Sequence, residues 1–355
     1  MSVRSAAPAL IAALLFGAST PLAKLLAGDV SPLLLAGLLY LGSGLGLGIL
    51  LVIRRVAARG CMAAGARGAS FTIPRGELPW LVGAIVAGGM LGPALLMSGL
   101  STMDAAPAAL LLNVEGVLTA LIAWLVFKEN ADRQVVLGML AIVAGGVLLA
   151  WRPGEAGIST GALLVVAACL CWAVDNNLTR KVSANDALLI ACLKGLAAGA
   201  VNTGLGLLAG AGLPSAGSLA ATLLVGFAGY GLSLALFVVA LRSLGTARTG
   251  AYFSVAPLFG VLVSFAVWPA IPAWTFWVAS ALMAVGVWLH LRERHEHPHT
   301  HQPMKHAHAH SHDEHHRHVH DFPWDGVEPH VHPHLHSALT HQHAHYPDIH
   351  HRHAH

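Results

Sequence analysis

The stretch AALLLNVEGVLTALIAWLVFKE (108–129) carries a single ionisable group, Glu115, before Lys128 closes it. An uncharged run of that length, wound as a helix rising about 1.5 Å per residue, crosses the roughly 30 Å of a bilayer's hydrocarbon. Working outward from it, comparable windows fall at about 7–27, 31–53, 78–100, 105–127 and 134–151. Five more fall at about 160–180, 186–209, 218–241, 246–268 and 273–291. Backbone groups in lipid must be bonded internally, and no window has the alternation of a barrel strand. The expectation is an all-α polytopic membrane protein with ten transmembrane helices.

Composition agrees. Of 355 residues, 55% are hydrophobic and 10% charged, against about 25% charged in a soluble domain. The chain is also split in two. All 24 His lie at or after His290. Up to residue 289 there are 15 Lys and Arg against 9 Asp and Glu, a balance of +6; from His290 onward there are 5 against 8, a balance of −3. The body's basic excess sits in short loops, where it orients a membrane protein, so no nucleic-acid partner is implied. Its partners are the lipid bilayer and a solute, and a homodimer is left open.

Placing the N-terminus inside puts Arg54, Arg55, Arg59, Arg67 and Arg75 in one cytoplasmic loop. Lys128 with Arg133, Arg180 with Lys181, Arg242 with Arg248, and Arg292 with Arg294 follow them inside. The far side keeps Arg152, and Lys24 near a helix end. This positive-inside pattern predicts a multi-pass protein of the cell (inner) membrane with both termini cytoplasmic. The apolar N-terminal run continues to about Ala27, so it reads as a first span and not as a cleaved signal.

The chain resembles itself. FGASTPLAK (16–24) lines up with WAVDNNLTR (172–180), and AGGVLL (144–149) with AVGVWL (284–289). These pairings set span 1 on span 6 and span 5 on span 10. Five spans is an odd number, so the halves would cross the membrane in opposite senses, the inverted repeat of many carriers. Gly42, Gly44, Gly46, Gly48, Gly195, Gly199, Gly226 and Gly229 read as close-packing seams between helices. Pro21, Pro93, Pro107 and Pro257 interrupt helices and free backbone carbonyls.

Residues 108–129, followed by GMLAIVAGGVLL (138–149), resemble the end of an EamA domain, the repeat unit of the drug/metabolite transporter superfamily. AYFSVAPLFGVL (251–262) is similar in the second half. The resemblance covers about residues 6–291. It implies a first EamA repeat at 6–151, a second at 158–291, and a gradient-coupled carrier, usually an exporter. Residues 292–355 remain as a separate cytoplasmic tail.

Within the body the ionisable residues stand out. A carboxyl near the middle of span 4, such as Glu115, costs about 2.5–3.5 kcal/mol unless it faces a cavity or a partner. It is the candidate proton-coupling group; the alternative is a structural hydrogen bond to Asn113 or a neighbouring helix. Asp175 and Lys194 lie on consecutive antiparallel spans at similar depth and are expected to pair, with Asn176 beside them; an interfacial end-turn is the other reading of Asp175, Asn176 and Asn177. Lys24 is a further pathway candidate, though its long stem also lets it snorkel to headgroups. Trp124, Trp151, Trp268 and Trp274 read as an aromatic belt. Cys61, Cys169, Cys171 and Cys192 form no CxxC pair, and the three in apolar runs read mainly as small buried hydrophobes.

The tail places His at every second position in HAHAHSH (306–312), HHRHVH (315–320), HVHPHLH (330–336), HQHAH (341–345) and HHRHAH (350–355). Candidate metal ligands are His306, His308, His310, His312, His315, His316, His318, His320, His330, His332, His334, His336, His341, His343 and His345. Imidazole suits Zn, Ni or Co, while a tail with no Cys and one Met lacks soft ligands for Cu(I). With few apolar residues the tail is expected to be disordered without metal. A pH-sensing tail and a solubilising tail are the other readings. No cofactor is expected beyond that metal.

The leading functional expectation is a secondary-active exporter of a small metabolite with a metal-binding regulatory tail. The alternative is a divalent metal efflux carrier whose tail collects the cargo. A membrane sensor or metal store that transports nothing is a third class. An intramembrane enzyme is disfavoured: the body has no His, no HExxH and no GxSxG.

Overall fold

In a computed structural model, the structure describes residues 3–28, 30–61, 74–127, 133–151, 159–179, 182, 186–244, 252–269 and 271–291 of the body. In the tail it describes the backbone of 296–301, 304–310, 330–336 and 339–344. Body and tail form two compact units, divided between Glu293 and Arg294.

Among the described residues of the body, the regular elements are all helices. It comprises α1 (Val3–Leu26), α2 (Pro32–Cys61), α3 (Leu78–Ala84), α4 (Gly92–Thr102), α5 (Ala105–Leu111), α6 (Asn113–Phe127) and α7 (Arg133–Ala150). Then follow α8 (Thr160–Thr179), α9 (Ala187–Leu208), α10 (Ala216–Gly226), α11 (Ser233–Leu244), α12 (Ala256–Val267) and α13 (Trp274–Leu291). Among the described residues, seven stretches are long and apolar enough to cross a membrane: 7–26, 32–56, 75–102, 105–126, 160–179, 188–208 and 216–237. Shorter apolar helices, at 136–150, 256–267 and 274–289, occupy the other three predicted windows.

Two of the seven contain π-helical segments. A π-helical segment, Ile85–Leu91, joins α3 to α4, and a second, Phe227–Leu232, joins α10 to α11. The glycines Gly88 and Gly89, and Gly229 and Gly231, lie inside these turns, where wide i→i+5 rings bring backbone close to neighbouring helices. The predicted 78–100 and 218–241 windows carry no hydropathy mark of this wider winding.

The glycine seams close the bundle as the sequence leads one to expect. A Cβ on Gly44 would lie 2.5 Å from the Leu196 nitrogen, one on Gly42 2.1 Å from the Leu223 carbonyl oxygen, and one on Gly226 2.0 Å from the Leu39 carbonyl oxygen. Gly48 is looser, 3.6 Å from the Cys192 sulfur. Along α2 and α9, Gly37 meets Thr203, Leu41 meets Gly199 and Gly44 meets Gly195. One number rises as the other falls, so these helices run antiparallel. On α7 and α13, Gly145 meets Ala279 and Gly138 meets Gly286, again antiparallel. Meanwhile α1 packs on α11 and α12, and α8 packs on α4 and α6. Small residues at these crossings let backbones meet where lipid supplies no hydrophobic drive.

Trp124, Trp151, Trp268 and Trp274 are all exposed on the outside of the bundle. Cys169 and Cys192 are buried and Cys171 half-buried, all three free thiols. The Cys192 thiol donates to the Gly44 carbonyl at 3.3 Å.

Four described segments of the tail depart from the expectation of disorder. Strands β1 (Glu296–His301) and β4 (Leu339–Ala344) pair antiparallel, as do β2 (Met304–His310) and β3 (His330–His336). Low apolar content suggested a chain without structure. The alternation of His with Ala, Val, Leu and Thr is nevertheless the period-two pattern of an extended strand, and two such segments satisfy each other's backbone groups.

Candidate functional site

The site begins with an orphaned carbonyl. In the first π segment the Gly92 N–H donates to the Ala87 carbonyl, five residues back. The next donor in that register would serve the Gly88 carbonyl, but residue 93 is proline and has no N–H. Two side chains from other spans supply the missing bonds: the Tyr40 hydroxyl from α2 and the Trp172 indole N–H from α8 each donate to the Gly88 oxygen at 2.9 Å. Nearby, the Asn202 amide of α9 donates to the Met90 carbonyl at 3.0 Å. The irregular stretch of span 3 is thereby tied to three other spans.

Against the same turn lies the ion pair. Lys194 Nζ sits 2.6 Å from Asp175 Oδ1 and 2.5 Å from Oδ2, and the Thr179 hydroxyl donates to Oδ1 at 2.8 Å. Both charged side chains are largely buried, 13% exposed for Lys194 and 8% for Asp175. Glycine at position 88 makes room: a Cβ there would fall 1.9 Å from Asp175 Oδ2. A charge pair so far from water persists only when both partners are satisfied.

Glu115 follows a second irregularity. Between α5 and α6 the helix tightens at Leu112, whose N–H donates to Ala109, while the Glu115 N–H donates to Leu112. Carbonyls released there are taken locally: Asn113 donates to the Leu110 oxygen at 2.9 Å, and the Cys169 thiol approaches the Leu111 oxygen at 3.9 Å. One turn on, the Asn176 amide of α8 donates to Glu115 Oε1 at 2.9 Å and reaches the Thr119 hydroxyl at 3.4 Å. Asn177 fastens the same two helices, donating to the Thr119 carbonyl at 3.3 Å and the Ala173 carbonyl at 2.8 Å. Asn176 and Gly116 are exposed and Glu115 half-buried, and a Cβ added to Gly116 would meet nothing within 4 Å. The carboxyl is thus half-buried, and its amide partner is exposed. It also lies within electrostatic reach of Asp175 and Lys194.

Tyr40, one of the two donors to Gly88, begins an aromatic row. The Tyr40 and Tyr230 rings stand 5.4 Å apart, Tyr230 and Phe16 6.1 Å, Phe16 and Phe253 5.5 Å, and Phe253 and Phe237 4.8 Å.

A family model described as the EamA-like transporter family matches the chain twice, over residues 5–151 and 159–292. The chain belongs to that family. It is 29% identical over 265 residues to an uncharacterized transporter of Methanothermobacter thermautotrophicus, covering 72% of this chain and 76% of that one. It is 25% identical over 207 residues to the uncharacterized transporter YyaM of Bacillus subtilis, covering 54% of this chain and 66% of that one. A solved structure described only as a crystal structure of a protein aligns over 80% of this chain and 95% of its own, with a TM-score of 0.58 at 22% identity, a likeness of fold. The molecule is thus a multi-span membrane transporter.

In this EamA-like transporter the structure brings together Glu115, Asn176, Asp175 and Lys194 of the residues singled out from sequence. Asn113 stands apart from them, with its amide also 3.9 Å from the Met283 sulfur. Lys24 is held by the Leu100 carbonyl in the last turn of α4. Of the tail histidines, His306, His308, His310, His330, His332, His334, His336, His341 and His343 lie on described strands. His312, His315, His316, His318, His320 and His345 lie outside the described residues. Among the described side chains no group of three or more His, Cys, Asp or Glu is placed to hold a metal ion. Tyr40, Trp172, Gly88, Thr119, Thr179 and Asn202 were not picked out from sequence. The available signal was Pro93 five residues after Gly88, together with polar-tipped side chains in mid-span.

Proposed function

We propose that the protein is a secondary-active carrier that exports a small metabolite by alternating access, with Glu115 as the proton-coupling group. The observation that carries this reading is the mid-span carboxyl of Glu115, half-buried and hydrogen-bonded across to Asn176 on the neighbouring helix. A carboxyl that can exchange an amide bond for a proton or a solute, beside an already neutralised Asp175–Lys194 pair, can change charge without stranding a second ion.

An inverted duplication of ten spans is part of this reading, and several features support it. Spans expected to be equivalent, α2 with α9 and α7 with α13, pack antiparallel. The π segments recur at an offset of 141: Gly92 donates to Ala87 and Ser233 to Ala228. The exchange of partners, α1 onto α11 and α12 and α8 onto α4 and α6, is what a pseudo-twofold axis in the membrane plane produces. The orientation proposed is that of the positive-inside pattern, in the inner membrane with both termini cytoplasmic. The tail is proposed to bind a divalent cation and regulate the carrier. As cargo, a divalent metal finds less support, because the polar centre offers one amide-bonded carboxyl and one carboxylate already ion-paired.

Counterflow and pH-gradient-driven flux in proteoliposomes test the reading with Glu115→Gln. The amide keeps the shape and removes the titration. Proton-driven flux should fall at least tenfold while gradient-independent exchange survives; undiminished proton-driven flux would take Glu115 out of the mechanism.

A further inference from the structure

Glu115 and Thr119 lie one helical turn apart on α6, so both side chains fall on the face that meets α8. The Asn176 amide nitrogen is 2.9 Å from Glu115 Oε1 and 3.4 Å from the Thr119 hydroxyl oxygen. Both contacts use the same end of the amide. Rotating that amide by half a turn about its terminal bond presents its oxygen to the same place, since its two ends are nearly alike in shape. Three acceptors of different kinds, a carboxylate, a hydroxyl and an amide oxygen, then border one spot. They are not sealed off: Glu115 and Thr119 are half-buried and Asn176 is exposed.

Charge and the number of acceptors decide what that spot takes. Asp175 and Lys194 neutralise each other at 2.5 Å, so Glu115 supplies the net negative charge of the described cluster, and one proton or one monovalent cation balances it. The neighbouring carbonyls are engaged, Leu110 by Asn113, Leu111 by the Cys169 thiol and Thr119 by Asn177. Three side-chain groups are too few for a hard metal ion such as Mg²⁺ or Ca²⁺, which takes about six to eight oxygens. They match a primary ammonium group, which carries three N–H donors and no acceptor.

We propose that Glu115, Thr119 and Asn176 form the binding site for the ammonium head of a primary amine, the class of solute the carrier moves. The carboxylate supplies the charge-assisted bond, and the hydroxyl and amide oxygens count N–H donors, which charge alone does not. Loading is an exchange. A protonated Glu115 and a Glu115 carboxylate paired with an ammonium are both neutral, so the arriving ammonium replaces the Glu115 proton, which passes to water. When neither is bound, the Asn176 N–H holds the carboxylate.

This inference rests on the reading of Glu115 as the coupling group, and the experiment separates the two. The purified full-length chain in detergent is titrated by calorimetry with the chlorides of n-butylammonium, n-butyltrimethylammonium and sodium. The first ion carries three N–H donors, and the second carries the charge with none. n-Butylammonium should bind at least tenfold more tightly than the quaternary ion, about what one hydrogen bond to a charged group contributes. Thr119→Val keeps the shape, removes one acceptor and should erase most of that preference, while Thr119→Ser should retain it. Glu115→Gln should weaken n-butylammonium binding at least tenfold. Equal affinity for the two organic ions, a preference that survives Thr119→Val, or Na⁺ binding more tightly than n-butylammonium overturns the amine site. Absence of n-butylammonium binding overturns it too, and if proton-driven flux still falls in Glu115→Gln, the coupling reading stands without it. Native n-butylammonium binding with undiminished proton-driven flux in Glu115→Gln does the reverse: the amine site stands and the coupling reading falls.

Discussion

The two halves of the bundle use one backbone device in two chemical settings. At 88 and 229 a π-segment glycine lies under a residue of the partner half: Gly88 under Asp175, and Gly229 under Ser19, where a Cβ would fall 2.4 Å from the serine Cβ. Ser19 and Asp175 are also the residues that the alignment of 16–24 with 172–180 pairs. Pro93 orphans the Gly88 carbonyl, whereas its counterpart at an offset of 141, Leu234, keeps its N–H. By the same offset Glu115 corresponds to Ala256. One interface is thus charged and amide-rich, and the other is built from Phe16, Tyr230, Phe253 and Phe237. The same backbone irregularity thus recurs in both matched regions, and the side chains around it differ in kind.

The largest expected effect breaks the charged side alone. Lys194→Met leaves Asp175 buried without its cation, a loss of about 3–5 kcal/mol. Adding Asp175→Asn should restore much of it, because no uncompensated charge then remains. Thermal unfolding in detergent, followed by a double-mutant comparison, measures both steps. Single and double variants of equal stability would show that the pair is not coupled. On the aromatic side, Ser19→Ala changes no charge and should shift stability far less.

The glycines give a second, smaller test of the same contrast. Gly88→Ala forces a methyl to 1.9 Å from a carboxylate oxygen already pinned by Lys194 and Thr179. Overpacking of that kind costs about 1–3 kcal/mol. Combining it with Lys194→Met should give less than the sum of the two losses, since the carboxylate is then free to swing away. Gly229→Ala meets the Cβ of Ser19, and its cost should not depend on Lys194. Additive losses at both glycines would remove the distinction between the interfaces.

The spans and the pairing partners were legible in sequence for different reasons. Apolar length announces a membrane helix by itself, so each predicted window carries an apolar helix, although three are shorter than a full span. Asp175 and Lys194 were legible because a lone buried charge is so costly that a partner on the adjoining span is required. Asn176 was visible only as a neighbour of Asp175: its bond to Glu115 depends on how α6 and α8 rotate against each other. The π segments were illegible to a hydropathy window, which counts apolar side chains and not backbone register. In the tail, low apolar content argued for disorder, and the period-two alternation that suits the paired strands was not weighed against it.

The smallest effect concerns the Gly88 carbonyl, and its value lies in its shape more than its size. Two donors serve one oxygen, so either can be removed while the other keeps the acceptor satisfied. Tyr40→Phe alone, or Trp172→Phe alone, should cost about 0.5–1.5 kcal/mol, the net worth of one ordinary hydrogen bond plus some lost ring packing for the tryptophan. Removing both leaves a buried carbonyl that Pro93 has already deprived of its backbone donor, and the added penalty is about 1–3 kcal/mol. The double variant should therefore lose more than the two singles together. At the second π segment, where Leu234 keeps its N–H, removing the Tyr230 hydroxyl should show no such synergy with Tyr40→Phe. Strict additivity of Tyr40 and Trp172 would mean that the Gly88 carbonyl finds another donor, and that the proline does not set this side of the bundle apart.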